Sequence, residues 1–265
     1  MNNLVKRIIT ALLLIAVAVG AAVTGLQYFI YLVHIFVFML QIELAMMFFK
    51  GDHKIIRYPF ITVCFFSTIL YNYMPFYFSP FLFLTIPIFL SLLMVFYSDK
   101  SNEEIVKLSA LCALGFLYVG LLPSLTTKIL MVQNGAYWML VCLGVVFSGD
   151  VGAYFIGSRF GKNKLIPQIS PNKTWEGALG GVACSMLFSL ALGKYFFPNI
   201  SMIVLVLSGC LAALLAQAGD FFESMLKRVA GQKDSGKFLP GHGGFLDRFD
   251  GLLFAIPVYY YLAIY

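Results

Sequence analysis

The chain has 265 residues, of which 61% are hydrophobic and only 11% are charged, and its mean hydropathy is +0.89. This composition excludes a soluble domain and indicates a polytopic membrane protein built from α-helices. The net charge of +6 does not indicate nucleic-acid binding, because most of the Lys and Arg residues lie in the loops that join the apolar segments. The five cysteines lie singly within apolar segments, which argues against disulfides and against a cysteine metal site.

The apolar segments predict nine transmembrane helices, each long enough to cross a bilayer. The first segment follows Lys6 and Arg7 as in a signal peptide, but no small-residue cleavage site separates it from the second, so we count it as a span. The nine segments cover residues 8–25, 26–49, 56–74, 77–97, 105–124, 136–157, 177–196, 200–219 and 248–265.

The distribution of basic residues predicts the orientation. If the N-terminus lies in the cytoplasm, all of the 18 Lys and Arg residues except Lys128 and Lys194 face the cytoplasm. Such an asymmetry follows the positive-inside rule. We therefore expect a cytoplasmic N-terminus, an external C-terminus, and a location in the bacterial inner (cytoplasmic) membrane.

Two regions are expected. Residues 1–135 form about five spans with few polar side chains, of which His34 is expected to be structural. Glu43, near the cytoplasmic end of its span, can reach water and is either solvated or functional. Residues 136–265 form a glycine-richer region with two polar cytoplasmic segments, 158–176 and 220–247. The pair Gly177/Gly181 favours close helix packing, whereas the pair Gly157/Gly161 is assigned to a loop.

The first polar segment contains a candidate anion site. Asp150, within the preceding span, is expected to face a polar cavity or to pair with another charge, and a helix-packing role is the alternative. Arg159 lies in the basic loop that follows. Ser170 and Pro171 suit an N-cap and a first helical position, which would present free N–H groups beside Lys173.

The second polar segment contains a candidate metal and phosphate site. Asp220, Asp247 and Asp250 come from two helices near one membrane face, and their hard oxygen atoms suit Mg²⁺. Three clustered carboxylates repel one another unless one cation or two intervene. Glu223 and Asp234 are weaker candidates, because both could be solvated or paired with lysines. The cations able to hold phosphate are Lys227, Arg228, Lys233, Lys237 and Arg248.

A histidine and several glycines lie between these charges. His242 could donate to a phosphate, orient a carboxylate or transfer a proton. Gly241, Gly243 and Gly244 would let the backbone approach a ligand closely, or would form a tight turn before a helix. The residue types together indicate a metal-assisted phosphate site at a membrane surface.

Both segments resemble motifs of the phosphatidate cytidylyltransferases, the CDP-diacylglycerol synthases. That family carries Ser-x-x-Lys-Arg, then Lys-Asp, then Pro-x-His-Gly-Gly-x-x-Asp-Arg-x-Asp, and also Ser-Pro-x-Lys-Thr-x-Glu-Gly. The resemblance covers roughly residues 140–255. The matching residues are Ser224, Lys227, Arg228, Lys233, Asp234, Pro240, His242, Gly243, Gly244, Asp247, Arg248 and Asp250 for the first motif, and Ser170, Pro171, Lys173, Thr174, Glu176 and Gly177 for the second.

The resemblance implies an enzyme that makes CDP-diacylglycerol and pyrophosphate from CTP and phosphatidate, with Mg²⁺ assisting direct attack of the lipid phosphate on the α-phosphorus of CTP. From the residue chemistry and the resemblance together, the expected metal ligands are Asp220, Asp247 and Asp250. The expected catalytic set is Asp220, Lys227, Arg228, Lys233, Asp234, His242, Asp247, Arg248 and Asp250. The expected substrate-binding set is Asp150, Arg159, Ser170, Lys173, Thr174, Glu176, Ser224, Gly243 and Gly244.

Two alternatives stay open on residue chemistry alone. One is a secondary transporter of an anionic solute, whose carboxylates would be proton or Na⁺ sites. The other is a different membrane phospholipid head-group transferase. The expected partners are CTP, phosphatidate and membrane lipid, without nucleic acid, and a homodimer is left open.

Overall fold

The computed structural model describes residues 25–51, 54–74, 85–86, 101–236, 238 and 243–265. The predicted span at 8–25 and nearly all of the span at 77–97 lie outside these residues. So do His242, Lys237 and Pro240.

The described chain is almost entirely helical, as predicted. Its elements in chain order are α1 (Leu26–Phe48), α2 (Lys54–Tyr73), α3 (Asn102–Phe116), a π-helical turn (Leu117–Leu121), α4 (Leu122–Met131), α5 (Gly135–Phe160), β1 (Lys164–Ile166), β2 (Ser170–Thr174), α6 (Trp175–Phe196), α7 (Met202–Val229) and α8 (Leu246–Ile264).

Six helical segments of the described chain are long and apolar enough to cross a membrane. They are α1, α2, the continuous helix Asn102–Met131, α5, α6 and α7. Helix α8 covers most of the ninth predicted span but does not belong to these six. The all-α membrane class is therefore confirmed, whereas the count of nine spans is not.

Helix α7 extends beyond the predicted end of its span at residue 219. Its 28 residues make a helix roughly 42 Å long at 1.5 Å per residue, which exceeds the roughly 30 Å hydrocarbon core of a bilayer. Lys227 and Arg228 occupy its last turn, where cations interact favourably with the helix dipole. The first residues of the predicted second polar segment are thus a helix end and not a loop.

A short hairpin replaces the predicted start of the next helix. The expectation that Ser170 caps a helix beginning at Pro171 is wrong, because Ser170–Thr174 pairs antiparallel with β1. Helix α6 begins at Trp175, and the hydroxyl of Thr174 accepts a hydrogen bond from the Gly177 N–H at 3.2 Å. A β-branched threonine suits both roles, since it favours extended backbone and caps helices well.

The chain separates into two compact units. The first contains Met1–Thr127 and Asp234–Leu246, and the second contains Lys128–Lys233 and Asp247–Tyr265. Each unit therefore combines segments that are distant in sequence.

A network of hydrogen-bonded polar side chains links α1, α2 and α4 within the first unit. The Nδ1 atom of His34 lies 2.8 Å from the carbonyl oxygen of Ile30, and its Nε2 atom lies 2.8 Å from Nδ2 of Asn72. The hydroxyl of Thr127 donates to Oδ1 of Asn72. His34 is thus part of a structural hydrogen-bond network, as expected. Each polar group of this kind needs its partner in an apolar interior.

Glycines allow the helices of the second unit to approach closely. A Cβ atom on Gly181 would lie 2.8 Å from the carbonyl oxygen of Gly149, and one on Gly219 would lie 2.6 Å from that of Asp250. The predicted packing role of the Gly177/Gly181 pair agrees with these contacts. The loop assignment of Gly157 is wrong, because this residue lies in the last turn of α5, facing Gly177.

Candidate active site

A cavity of about 600 Å³ lies within the second unit, between α5, α6, α7 and the hairpin. Its volume is within the range of small-molecule sites. The polar part of its lining contains five residues of the predicted substrate and metal sets, namely Asp150, Ser170, Lys173, Thr174 and Asp220. The remaining lining residues are Ala153, Tyr154, Gly157, Ser158, Leu165, Asn172, Gly177, Ala178, Gln217 and Phe221.

An ion pair is part of this lining. Lys173 on β2 pairs with Asp220 on α7, and their side chains are 31% and 36% exposed. The Lys173 Nζ atom also lies 4.4 Å from the ring centroid of Phe221, a cation–π contact. A partly hydrated pair of this kind contributes little to stability. Its lysine is therefore available to an anionic ligand that enters the cavity.

Two further carboxylates interact with this pair. Asp150 on α5 is repelled by Asp220 and attracted by Lys173. Asp250 on α8 is repelled by both Asp220 and Asp150. The hairpin, α5, α7 and α8 thus bring together charges that are distant in sequence.

A second ion-pair cluster joins the end of α7 to the start of α8. Lys227 pairs with Glu223, one turn earlier, and its Nζ atom lies 2.7 Å from Oδ1 of Asp247. The Glu223 side chain is fully buried, and those of Lys227 and Asp247 are 15% and 10% exposed. Glu223 is also repelled by Asp247 and Asp250, which connects this cluster to the cavity.

The two clusters bring several acidic side chains and two lysines together at α5, the hairpin, α7 and α8. Clustered carboxylates of this kind favour a bound cation. The acidic members are Asp150, Asp220, Glu223, Asp247 and Asp250, and the lysines are Lys173 and Lys227.

The donor chemistry of this network fits Mg²⁺, which prefers carboxylate oxygens. Among the described residues, no group of three or more His, Cys, Asp or Glu side chains is arranged to hold a metal ion. Asp220 is paired with Lys173 and Asp247 with Lys227. The magnesium site formed by Asp220, Asp247 and Asp250 stays a prediction.

The other described residues of the predicted substrate set do not line the cavity. Arg159 is exposed in the last turn of α5. The Glu176 carboxylate accepts from the backbone N–H groups of Lys162 and Asn163, at 3.1 and 3.2 Å. Glu176 thereby ties the loop after α5 to the start of α6. Ser224 is half-buried on α7.

The remaining signature residues differ in exposure. Arg228, Lys233, Asp234 and Arg248 are exposed. Gly243 has a φ of +87°, a conformation that glycine adopts without strain. His242 lies outside the described residues.

Two residues with clear structural roles are absent from the predicted site. Gln217 lines the cavity and donates from Nε2 to the carbonyl oxygen of Ala178 at 3.0 Å. Glu43, expected to reach water, is only 1% exposed and accepts hydrogen bonds from Ser235, Phe245 and Leu246. The available signal for Glu43 was an ionisable side chain within an apolar span.

Comparison with known proteins agrees with the motif resemblance. The model of the "Cytidylyltransferase family" matches residues 5–265. The chain is 40% identical over 152 residues to the phosphatidate cytidylyltransferase of Staphylococcus saprophyticus, and 42% identical over 154 residues to that of Staphylococcus aureus. Each of these matches spans 57% of this chain and 57% of the relative. Because the family model covers nearly the whole sequence, the chain belongs to the cytidylyltransferase family.

Proposed function

We propose that this protein makes CDP-diacylglycerol and pyrophosphate from CTP and phosphatidate. A phosphate oxygen of phosphatidate attacks the α-phosphorus of CTP, the bond from that phosphorus to the α,β-bridging oxygen breaks, and pyrophosphate leaves with the bonding electrons. The observation that carries the proposal is the cavity in which Lys173 and Asp220 meet beside Asp150. Family membership and the names of the relatives support the same reaction.

The proposed reaction requires the protein to offset charge more than to transfer a proton. A phosphate monoester is already anionic at neutral pH, so the attacking oxygen needs no strong base. Both substrates are anions, and bringing them together is favourable only if cations lie close by. Lys173 would bind a phosphate oxygen in the cavity, in exchange for its contact with Asp220. Exposed Arg159, Arg228 and Arg248 add further donors for phosphate.

The carboxylates Asp220, Asp247 and Asp250 would hold Mg²⁺. The bound ion would neutralise charge on the phosphoryl oxygens. Before the substrates bind, Lys173 and Lys227 would keep the carboxylates of Asp220 and Asp247 oriented and limit their repulsion.

The position of the cavity suits a lipid substrate. The residues that line it lie in the C-terminal halves of α5 and α7 and at the start of α6. Its wall combines Lys173 and Asp220 with apolar groups such as Ala153, Leu165 and Phe221. A lipid with a phosphate head group would place its head group at such a helix end while its acyl chains stay in the bilayer.

We further propose that this end of the helices faces the cytoplasm, where CTP is found, with the protein in the bacterial inner membrane. The positive-inside distribution supports this orientation. In a variant without native cysteines, a cysteine at Gln232 should react only with reagents that reach the cytoplasm, and one at Pro198 only with external reagents. Labelling of both from one side would contradict the proposed orientation.

The proposed reaction is tested with purified protein in detergent, phosphatidate, Mg²⁺ and each of the four nucleoside triphosphates. Among the four nucleotides, we expect only CTP to give pyrophosphate and a lipid product. If none of the four nucleotides gives pyrophosphate, the proposal is contradicted. Equal release with all four would remove the cytidine specificity. Membership in a cytidylyltransferase family favours this reaction over a transporter or another head-group transferase.

A further inference from the structure

Glu43 is a buried carboxylate of the first unit that the proposed reaction does not use directly. Its side chain lies on α1 and is 1% exposed. It accepts hydrogen bonds from the Ser235 hydroxyl at 3.1 Å and from the N–H groups of Phe245 and Leu246 at 2.9 and 2.8 Å. All three donors belong to residues 235–236 and 243–246, which we call the signature loop.

Two of these donors lie at the start of helix α8. The helix begins at Leu246, and the first N–H groups of a helix have no partner within it. A carboxylate also interacts favourably with the positive end of the helix dipole. Glu43 therefore caps α8 from a different helix, 203 residues earlier in the chain.

The glycines of the signature loop make room for this carboxylate. A Cβ atom on Gly236 would lie 2.5 Å from Oε1 of Glu43, and all three of its nearest neighbours would be Glu43 atoms. A Cβ atom on Gly244 would lie 2.6 Å from Oε2 of Glu43 and closer still to the Ser235 hydroxyl oxygen. The approach of Glu43 therefore explains the glycine at Gly236, and Glu43 and Ser235 together explain the one at Gly244.

An aromatic contact fixes the same loop to the same face of α1. The rings of Phe36 and Phe245 pack edge to face, with centroids 5.0 Å apart. Phe36 and Glu43 are seven residues apart, a spacing that places two side chains on one helix face. Helix α1 therefore offers the loop an apolar and a charged anchor two turns apart.

We propose that Glu43 is a positioning residue for the reaction. Its carboxylate fixes the signature loop and the first residue of α8, and thereby the placement of Asp247 and Asp250 in the first turns of that helix. This inference rests on the proposed function, in which these two carboxylates take part.

Substitution by glutamine changes hydrogen bonding while conserving shape. In Glu43→Gln, an amide nitrogen replaces one carboxylate oxygen, so that a donor would face the donors of the loop. We expect kcat to fall roughly 10- to 100-fold, because small displacements of catalytic groups have effects of that size. The KM values for CTP and phosphatidate should change much less. The exposed carboxylate variant Glu103→Gln is the matched control and should behave as wild type.

A double-variant cycle separates positioning from general destabilisation. In Gly236→Ala, the added methyl group meets only Glu43 atoms among its three nearest neighbours. We expect Gly236→Ala to lower kcat in the wild-type background and to have little further effect in a Glu43→Ala background. Equal effects in both backgrounds would overturn the proposal. If the Glu43 variants fail to fold, Gly236→Ala can be measured alone. It must still lower kcat, because the added methyl group crowds the Glu43 carboxylate. A wild-type kcat in Gly236→Ala would contradict the proposal.

Hydrogen exchange gives a readout that does not depend on the identity of the substrates. The amides of Phe245 and Leu246 should be protected in the wild type and should exchange faster in Glu43→Gln, while the amides of α5 keep their protection. Unchanged exchange at Phe245 and Leu246 would overturn the capping role. An inactive wild-type protein with this exchange pattern would contradict the proposed reaction but not the capping.

Discussion

The acidic side chains in the two units of this protein have different partners. In the first unit, Glu43 accepts from a hydroxyl and two backbone N–H groups. In the second unit, Asp220 pairs with Lys173, and Lys227 pairs with both Glu223 and Asp247. A carboxylate that accepts from backbone N–H groups stabilises one local structure. Clustered carboxylates repel one another, and this repulsion supports the proposed cation site.

The largest expected effect on stability concerns the buried pairs of Lys227. The variant Lys227→Met keeps the length of the side chain but leaves the buried Glu223 without its cation. Removing one partner of a buried ion pair typically costs about 3–5 kcal/mol. We expect thermal unfolding in detergent to show a loss of that order, and the double variant Lys227→Met/Glu223→Gln to recover much of it. A double variant no more stable than the single one would show that the Glu223 pair is not the cause.

The next prediction separates the two substrates. Lys173 lies in the cavity beside apolar residues, whereas Arg228 is exposed near the end of α7. We expect Lys173→Ala to raise mainly the KM for phosphatidate and Arg228→Ala mainly the KM for CTP. Loss of a charged hydrogen bond costs about 1.5–3 kcal/mol, or roughly ten- to a hundredfold. Steady-state kinetics with each substrate varied separately decides the matter, and the opposite pattern would reverse the assignment.

A smaller effect is expected from glycine packing in the two units. In the second unit, a Cβ atom at Gly181 would lie 2.8 Å from a backbone oxygen, so Gly181→Ala should destabilise by about 1–3 kcal/mol. In the first unit, a Cβ atom at Gly120 would lie 3.6 Å from its nearest neighbour, an atom of the Phe116 ring. Gly120→Ala should therefore be neutral or slightly stabilising. Unfolding temperatures of both variants in detergent test the contrast. Equal losses would show that close backbone approach is not what distinguishes the second unit.

The sequence predicted the fold class and the family, because both depend on features local in the chain. An apolar segment of sufficient length indicates a membrane helix wherever it occurs, which gives the fold class. The signature residues that indicate the family are nearly contiguous. The end of α7 was placed too early, since hydropathy falls at Asp220 although the helix continues to Val229. The hairpin was missed because Ser170 and Pro171 also match a helix start. The role of Glu43 depends on a contact with Ser235, 192 residues away, which no local pattern reports.

The central claim is that the charged cavity of the second unit is the catalytic site, and the variant Asp220→Asn tests it most directly. This substitution keeps the volume of the side chain but removes the charge that pairs with Lys173. We expect CDP-diacylglycerol formation to fall roughly 100- to 1,000-fold, with a normal unfolding temperature, while Glu103→Gln retains wild-type activity. Near-normal turnover of Asp220→Asn with an unchanged dependence on Mg²⁺ would contradict the claim.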